Sequence, residues 1–341
     1  MTAAPLALWA LATLALGLAL QPLVVQAMRA AAVIDTPGPR SSHTVATPRG
    51  GGLAVVVAAT AGLLIFPQAL TSVVARPYGP IWTVAATMLL FAAVGLAEDL
   101  RGIAVPARLA LQASAGLVAG LLLAPGPLMV VVLVALWLTG YANAFNFMDG
   151  VNGISAVHAA LAGVVYAIAG TRYGLPALAV TGAVTAAAAA SFLPWNARRA
   201  RIFLGDVGSY GLGGLLGAAS VVALAGGVPP EVAVAPLALY LADTGATLAR
   251  RCYRGEPWYR PHRTHVYQRL TDLGWSHPRV TVVTAAASAA VCGCALAAAG
   301  SGLATRIGLD ALAVAVLAGY LAAPALLGAR PTYHQERSSY A

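Results

Sequence analysis

Apolar runs of about 20 residues, separated by short polar breaks, recur along the whole chain. A helix of that length crosses the hydrocarbon core of a bilayer. The pattern predicts spans near 5–27, 51–70, 80–97, 108–124, 127–145, 154–170, 175–194, 208–227, 231–249, 279–300 and 306–328. The count is eleven, or ten if one of the weaker Ala-rich segments does not cross. The first run lacks the basic flank of a signal peptide and is too long for its apolar core, so it is expected to remain as a span. The expected architecture is an all-α, polytopic transmembrane bundle. It forms one integral-membrane domain over 1–328, followed by a tail at 329–341.

The polar breaks alternate in character. One side of the predicted bilayer collects Arg29, Arg40, Arg49, Arg101, Arg108, Arg198, Arg199, Arg201, the Arg residues from Arg250 to Arg279, Arg330 and Arg337. The other side holds Arg76, Arg172 and Arg306. Basic loops stay on the cytoplasmic side, which puts the N-terminus outside and the C-terminus inside. Most acids fall on the Arg-rich side as well; Glu231 and Asp310 do not. Orientation does not require acids. Carboxylates at the inner ends of several spans point instead to a polar cavity with a function.

Composition agrees with this picture. The 341 residues are 60% hydrophobic and 9% charged, with a mean hydropathy of +0.79. A soluble domain carries about 25% charged residues, so this chain cannot coat a water-exposed globule. The net charge is +9, and every one of the 20 basic residues is Arg. Their place in short loops favours membrane orientation and phosphate binding over nucleic acid. Cys252, Cys292 and Cys294 have no metal-binding pattern around them and read as packing residues.

Five polar clusters carry candidate chemistry. In the first loop, Asp35 to Gly52, Arg40, His43 and Arg49 suit phosphate; alternatively they lie in a solvated loop and set topology. Next come Glu98 and Asp99 at a span end, followed by Arg108 and Gln112. Adjacent carboxylates there repel each other and the helix dipole, a cost that a cation would relieve; alternatively they are exposed loop acids capped by Arg101. In the third cluster, Asn143, Asn146 and Asp149 recur every third residue and share one helix face, suiting a hard cation or a nucleobase edge. Asn152 follows, in a turn with Gly150 and Gly153. In the fourth, Asp206 precedes a span and is either a helix cap or a metal ligand. The glycines after it suit close helix packing. The fifth contains His262, Arg263 and His265, which fit an anion better than zinc; an amphipathic helix on anionic lipid is the competing reading. His158, inside an apolar run, reads as an interhelical partner.

These clusters, in this order, resemble the polyprenyl-phosphate N-acetylhexosamine-1-phosphate transferases of glycosyl transferase family 4. The resemblance spans Asp35 to about Leu270. It rests on Asp35, Pro37, Arg40, His43, Pro48, Arg49 and Gly51; on Asp99, Arg108 and Gln112; on Asn143, Asn146, Phe147, Asp149 and Gly150; and on Gly205, Asp206, Gly208 and Ser209. Glu98 stands where the family usually has Asp. The muramoyl-pentapeptide branch carries a run of adjacent histidines, which is absent here. His262, Arg263, Thr264 and His265 look more like enzymes that start surface glycans.

The resemblance implies attack of a polyprenyl phosphate on a UDP-N-acetylhexosamine with release of UMP. It implies Mg²⁺, or Mn²⁺ in its place, on Asp206 and Asn146. Asp99 is expected to deprotonate or orient the acceptor phosphate, or to form a covalent aspartyl phosphate. Glu98, Asp206, His262 and His265 complete the expected catalytic set. Asp149 and Asn152 are expected to seat uridine or ribose. Arg49, His262, Arg263 and His265 are expected to hold the diphosphate, with Arg40, His43, Arg108 and Asn143 as further substrate contacts. The expected setting is a bacterial inner (plasma) membrane with the site facing the cytoplasm. The partners are the two substrates and the membrane, without nucleic acid, and a homodimer is left open. A pentapeptide donor, and a membrane transporter or lipid-binding protein without chemistry, are the rival readings.

Overall fold

Twelve helices and one minimal hairpin make up the described residues, which in this computed structural model are 3–37, 45–65, 79–257 and 262–328. The helices are α1 (Ala3–Ala30), α2 (Gly52–Leu64), α3 (Gly79–Arg101), α4 (Val105–Leu123), α5 (Leu128–Phe147) and α6 (Ile154–Arg172). They continue with α7 (Pro176–Asn196), α8 (Gly205–Ala225), α9 (Pro230–Tyr253), α10 (Val266–Asp272), α11 (His277–Ala298) and α12 (Leu303–Leu326). Proline in the first turn starts α4, α7, α9 and α11, where its missing N–H has no intrahelical partner to lose. Strands β1 (Ile34–Asp35) and β2 (Thr47–Pro48) pair antiparallel between α1 and α2.

Ten helices are long and apolar enough to span a membrane, so the chain is a polytopic all-α membrane protein. The expected second span, 51–70, contains the 13-residue α2, and residues 66–78 lie outside the described ones. Its direction follows from its neighbours. The end of α1, the start of α2 and the end of α3 meet at one end of the bundle. Helix α2 therefore starts at the end where α3 finishes; at 13 residues it is shorter than the ten helices of spanning length among the described residues.

Small residues set the closest packing. Gly163 and Gly182 bring the backbones of α6 and α7 into contact, where a Cβ on either would clash. The glycines of α8 act in the same way: Gly208 faces Gly52, Gly211 faces Val56 and Ala92, and Gly213 faces Ala142. Helix α8 is consequently the most enclosed span, with 83% of its apolar stretch buried, against 11% for α12.

The two bundle ends differ as the loop charges predict. At one end Arg172 donates to the carbonyls of Leu296 and Ala299, and Arg306 pairs with Glu231 at 2.7 Å. At the other end lie Arg49, Glu98, Asp99, Arg108, Asn146 and Asp206. His158 is buried between helices, with Nε2 3.0 Å from the Tyr141 hydroxyl and its ring stacked on Tyr240. Cys292 and Cys294 are buried packing residues, while Cys252 is exposed. Arg40, His43, Arg76 and the 329–341 tail lie outside the described residues.

Candidate active site

The site is built where α3 ends beside the start of α8. Gly95 allows this, because a Cβ there would collide with the backbone of Asp206. Helix α3 continues past the expected span end at 97 to Arg101, so Glu98 and Asp99 stand on its final turn. Asp99 reaches across to α8. Its Oδ1 accepts the Asp206 N–H at 3.1 Å and its Oδ2 accepts the Val207 N–H at 3.0 Å. A carboxylate placed there satisfies first-turn donors and the positive helix end together. Gly205 adopts φ +75°, and a Cβ on it would stand 2.6 Å from Asp99 Oδ2. Asp206 does not cap its own helix; that role passes to Asp99 from another helix. The Asp206 side chain turns to α5, where Asn146 Nδ2 donates to its Oδ1 at 2.9 Å and to Ser209 Oγ at 2.8 Å.

Arg49 is delivered by backbone pairing. The Phe203 N–H donates to the Pro48 carbonyl at 2.8 Å, and Gly51 and Gly52 donate to Phe203 and Leu204 at 2.9 and 2.7 Å. Arg49 Nη2 then donates to the Asp99 carbonyl at 3.1 Å, with Nε 3.6 Å from Asp99 Oδ1.

The turn after α5 is held from three sides. Tyr267 Oη donates to the Phe147 carbonyl at 2.9 Å, and Gly150 lies so close to that hydroxyl that a Cβ would collide with it. The Asn152 N–H donates to His277 Nδ1 at 3.3 Å, while Thr281 Oγ1 donates to the Asn152 carbonyl at 2.9 Å. The Gly153 N–H donates to Asn196 Oδ1 at 2.6 Å.

Asp35, Arg49, Asp99, Asn146, Asp149, Asn152 and Asp206 thereby line one 310 Å³ cavity together with Asn196, Gln268 and His277. A 950 Å³ cavity adjoins it, sharing Asn152, Phe203 and His277 and bordered by Arg29, Arg198, Arg199 and Arg201. Other expected residues stand back from the smaller cavity. Glu98 accepts the Ile103 N–H at 2.6 Å and pairs with Arg108 at 3.3 Å, so both serve the α3–α4 connection. Asn143 turns to Gln112, donating to its Oε1 at 2.8 Å. Arg263 pairs with Asp272 at 3.0 Å. His262 and His265 lie beside each other, ring centres 5.0 Å apart, and His265 caps α10, the helix that carries Gln268 to the cavity.

Sequence patterns did not single out Asn196 or His277. Both occupy the polar end of a span on the Arg-rich side, which is the signal that marked the acids. Gln268 fell within the fifth cluster without a role.

Charge in the cavity favours a cation. Withdrawal from water pushes the Asp149 carboxyl up to about 7, and the charges of Asp206 and Asp99 add to the rise. His262 moves the other way. Burial, the adjacent His265 and Arg251 lower it to about 3, so it stands neutral at physiological pH. Among the described residues no three His, Cys, Asp or Glu side chains form a complete metal cage. Mg²⁺ does not need one. It binds through one or two carboxylates and takes its remaining oxygens from phosphate and water. Asp206, Asp149 and the Asn146 amide oxygen are hard donors of that kind, and a lining of four carboxylates against the single Arg49 fits such an ion.

Known proteins resemble this chain over most of its length. The sequence profile of glycosyl transferase family 4 matches residues 81–224. The decaprenyl-phosphate N-acetylglucosaminephosphotransferase of Mycolicibacterium smegmatis is 32% identical over 289 residues, covering 72% of this chain and 70% of that protein. Its namesake from Mycobacterium tuberculosis is 31% identical over 289 residues, covering 72% and 71%. A phospho-N-acetylmuramoyl-pentapeptide-transferase of Gluconobacter oxydans is 27% identical over 304 residues, covering 73% and 78%. With likeness of this extent and the same polar clusters gathered at one bundle end, the chain belongs to glycosyl transferase family 4.

Proposed function

We propose that this protein transfers N-acetylhexosamine 1-phosphate from a UDP-N-acetylhexosamine to a polyprenyl phosphate, releasing UMP at the cytoplasmic face of a bacterial inner membrane. The observation that carries the reading is the meeting of Arg49, Asp99, Asn146, Asp149, Asn152 and Asp206 in one cavity at the Arg-rich bundle end. Both mycobacterial relatives are named as decaprenyl-phosphate N-acetylglucosaminephosphotransferases.

In this reading an oxygen of the polyprenyl phosphate attacks the β-phosphorus of the donor. The bond from that phosphorus to the bridging oxygen breaks, and UMP carries the bridging oxygen away. Positioning and charge neutralisation govern such a transfer. Asp206 and Asn146 would hold Mg²⁺, with Asp149 beside them; when bound, the ion neutralises the diphosphate and the leaving UMP. Arg49, whose guanidinium rests on Asp99 at the cavity wall, would pair with the same phosphates. Asn152, fixed through its backbone by His277 and Thr281, faces both cavities and seats the nucleoside. Asp99 acts by position. Its oxygens already hold the start of α8, and a phosphate monoester has its second pKa near about 6, so the acceptor needs no general base at neutral pH. A covalent aspartyl phosphate would use one of those oxygens as nucleophile and weaken the hydrogen bond that it accepts.

The test uses detergent-solubilised protein, Mg²⁺, a polyprenyl phosphate and a panel of UDP-sugars. UMP release with at least one UDP-N-acetylhexosamine is expected, and a chelator should stop it. No UMP from any donor, or substrate movement across vesicles without UMP, would sink the reading in favour of a transporter. Turnover with the UDP-muramoyl-pentapeptide alone would select the rival donor. Orientation has its own test. Exposed Cys252 ends α9 on the site side, so an impermeant thiol reagent should label it in inverted vesicles and not in right-side-out ones.

A further inference from the structure

Asp243 lies on α9, is fully buried and has no part in the scheme above. Four groups donate to its carboxylate. His265 Nδ1 stands 3.1 Å from Oδ1, and Thr247 Oγ1 donates to the same oxygen at 3.2 Å. The Val266 N–H reaches Oδ1 and Oδ2 at 3.1 and 3.0 Å, and Tyr320 Oη from α12 donates to Oδ2 at 3.4 Å. A carboxylate met in this way accepts from every neighbour, so the ring nitrogen facing it carries the proton. The lone pair of the imidazole is then on Nε2, on the far side of the ring.

The same carboxylate anchors α10. Val266 is the first residue of that helix and His265 its N-cap, whose N–H donates to Gln268 Oε1 at 3.2 Å. Gln268 lines the 310 Å³ cavity, and Tyr267 holds the Phe147 carbonyl next to it. The His265 ring lies 6.1 Å from the Phe147 ring. One buried side chain thus fixes both the tautomer of His265 and the placement of the helix that closes over the turn between α5 and α6.

We propose that Asp243 is a positioning residue for the transfer: it holds His265, the N-cap of α10, as the Nδ1–H tautomer, and so pins that helix and its Gln268 at the edge of the cavity. This rests on the cavity that Gln268 lines being the transfer site of the transferase reading. A buried donor left without its acceptor disfavours the native placement of α10 by about 10–100-fold.

The tautomer can be read without substrate. ¹⁵N-histidine-labelled protein in detergent is examined by long-range ¹H–¹⁵N correlation, and the His265 signal is identified by its loss in His265→Gln. The wild-type ring should show a protonated Nδ1 and an unprotonated Nε2. In Asp243→Asn, whose amide brings a donor among donors, that pattern should be lost. The kcat for UMP release should then fall about 10–100-fold while KM for the UDP-sugar changes much less. Tyr320→Phe removes a different donor from Asp243, so it should keep the tautomer and most of the activity. A wild-type ring protonated on Nε2 would overturn the proposal, as would wild-type kcat in Asp243→Asn or lost activity with an unchanged His265 signal. Because the wild-type signal needs no turnover, the pairing is judged even if no UMP were released, and that result would overturn only the transferase reading.

Discussion

Asp99 of α3 binds the backbone N–H of Asp206 on α8, which joins two candidate catalytic carboxylates through the main chain of one of them. The two therefore respond differently to substitution. In Asp99→Asn the amide turns a donor toward N–H donors, and leaving one buried donor unsatisfied costs about 1–3 kcal/mol. This variant should lose UMP release and also unfold at a lower temperature in detergent. Asp206→Asn should lose UMP release with a smaller change in thermal midpoint, since its side chain exchanges only the hydrogen bond from Asn146. Wild-type turnover in either variant would remove that residue from the site.

Glu98 and Asp99 are neighbours with different tasks. Glu98 is taken up by the Ile103 N–H and by Arg108, both at the α3–α4 connection. Glu98→Gln keeps an acceptor for Ile103 and loses a partly exposed ion pair worth at most about 1 kcal/mol. Its kcat should stay within roughly fivefold of wild type. A loss as deep as that of Asp99→Asn would place Glu98 in the chemistry.

His277 holds Asn152 by accepting its backbone N–H. His277→Ala removes that acceptor, and a lost hydrogen bond of about 1 kcal/mol should raise KM for the UDP-sugar roughly fivefold. His277→Gln supplies another acceptor and should recover most of the loss. Unchanged kinetics in His277→Ala would mean that Thr281 and Asn196 hold the turn without it.

His262 gives a pH signature. Its folded value of about 3 lies below the ordinary 6.5 because burial disfavours the charged ring. Between those values the unfolded chain binds the proton and the native protein does not, so stability rises with pH across the window. The contribution is complete above about 6.5 and is lost as pH falls toward 3. Thermal midpoints measured from pH 7.5 to pH 4.5 should fall, and His262→Gln should fall less steeply. Parallel curves for the two proteins would show that His262 titrates normally.

The order of the spans, the all-α class and the gathering of five polar clusters at one bundle end were all determined by the sequence alone. Hydropathy is a local property, and lipid tolerates neither an unpaired charge nor an open backbone, so apolar length and loop charge carry that information directly. Which clustered residues face the cavity was decided only by tertiary structure. Successive helical residues point about 100° apart, so Asp99 and Glu98 diverge; Asn143 and Asn146 lie about one turn apart on α5, so Asn146 meets Asp206 while Asn143 meets Gln112. The close approach of α3 to α8 at Gly95, and the turn at Gly205, select one member of each pair. Asp243, Asn196 and His277 join the site by the same means. Each is an unremarkable polar residue in its own span, and only the packing of separate helices gives it a partner at hydrogen-bond distance.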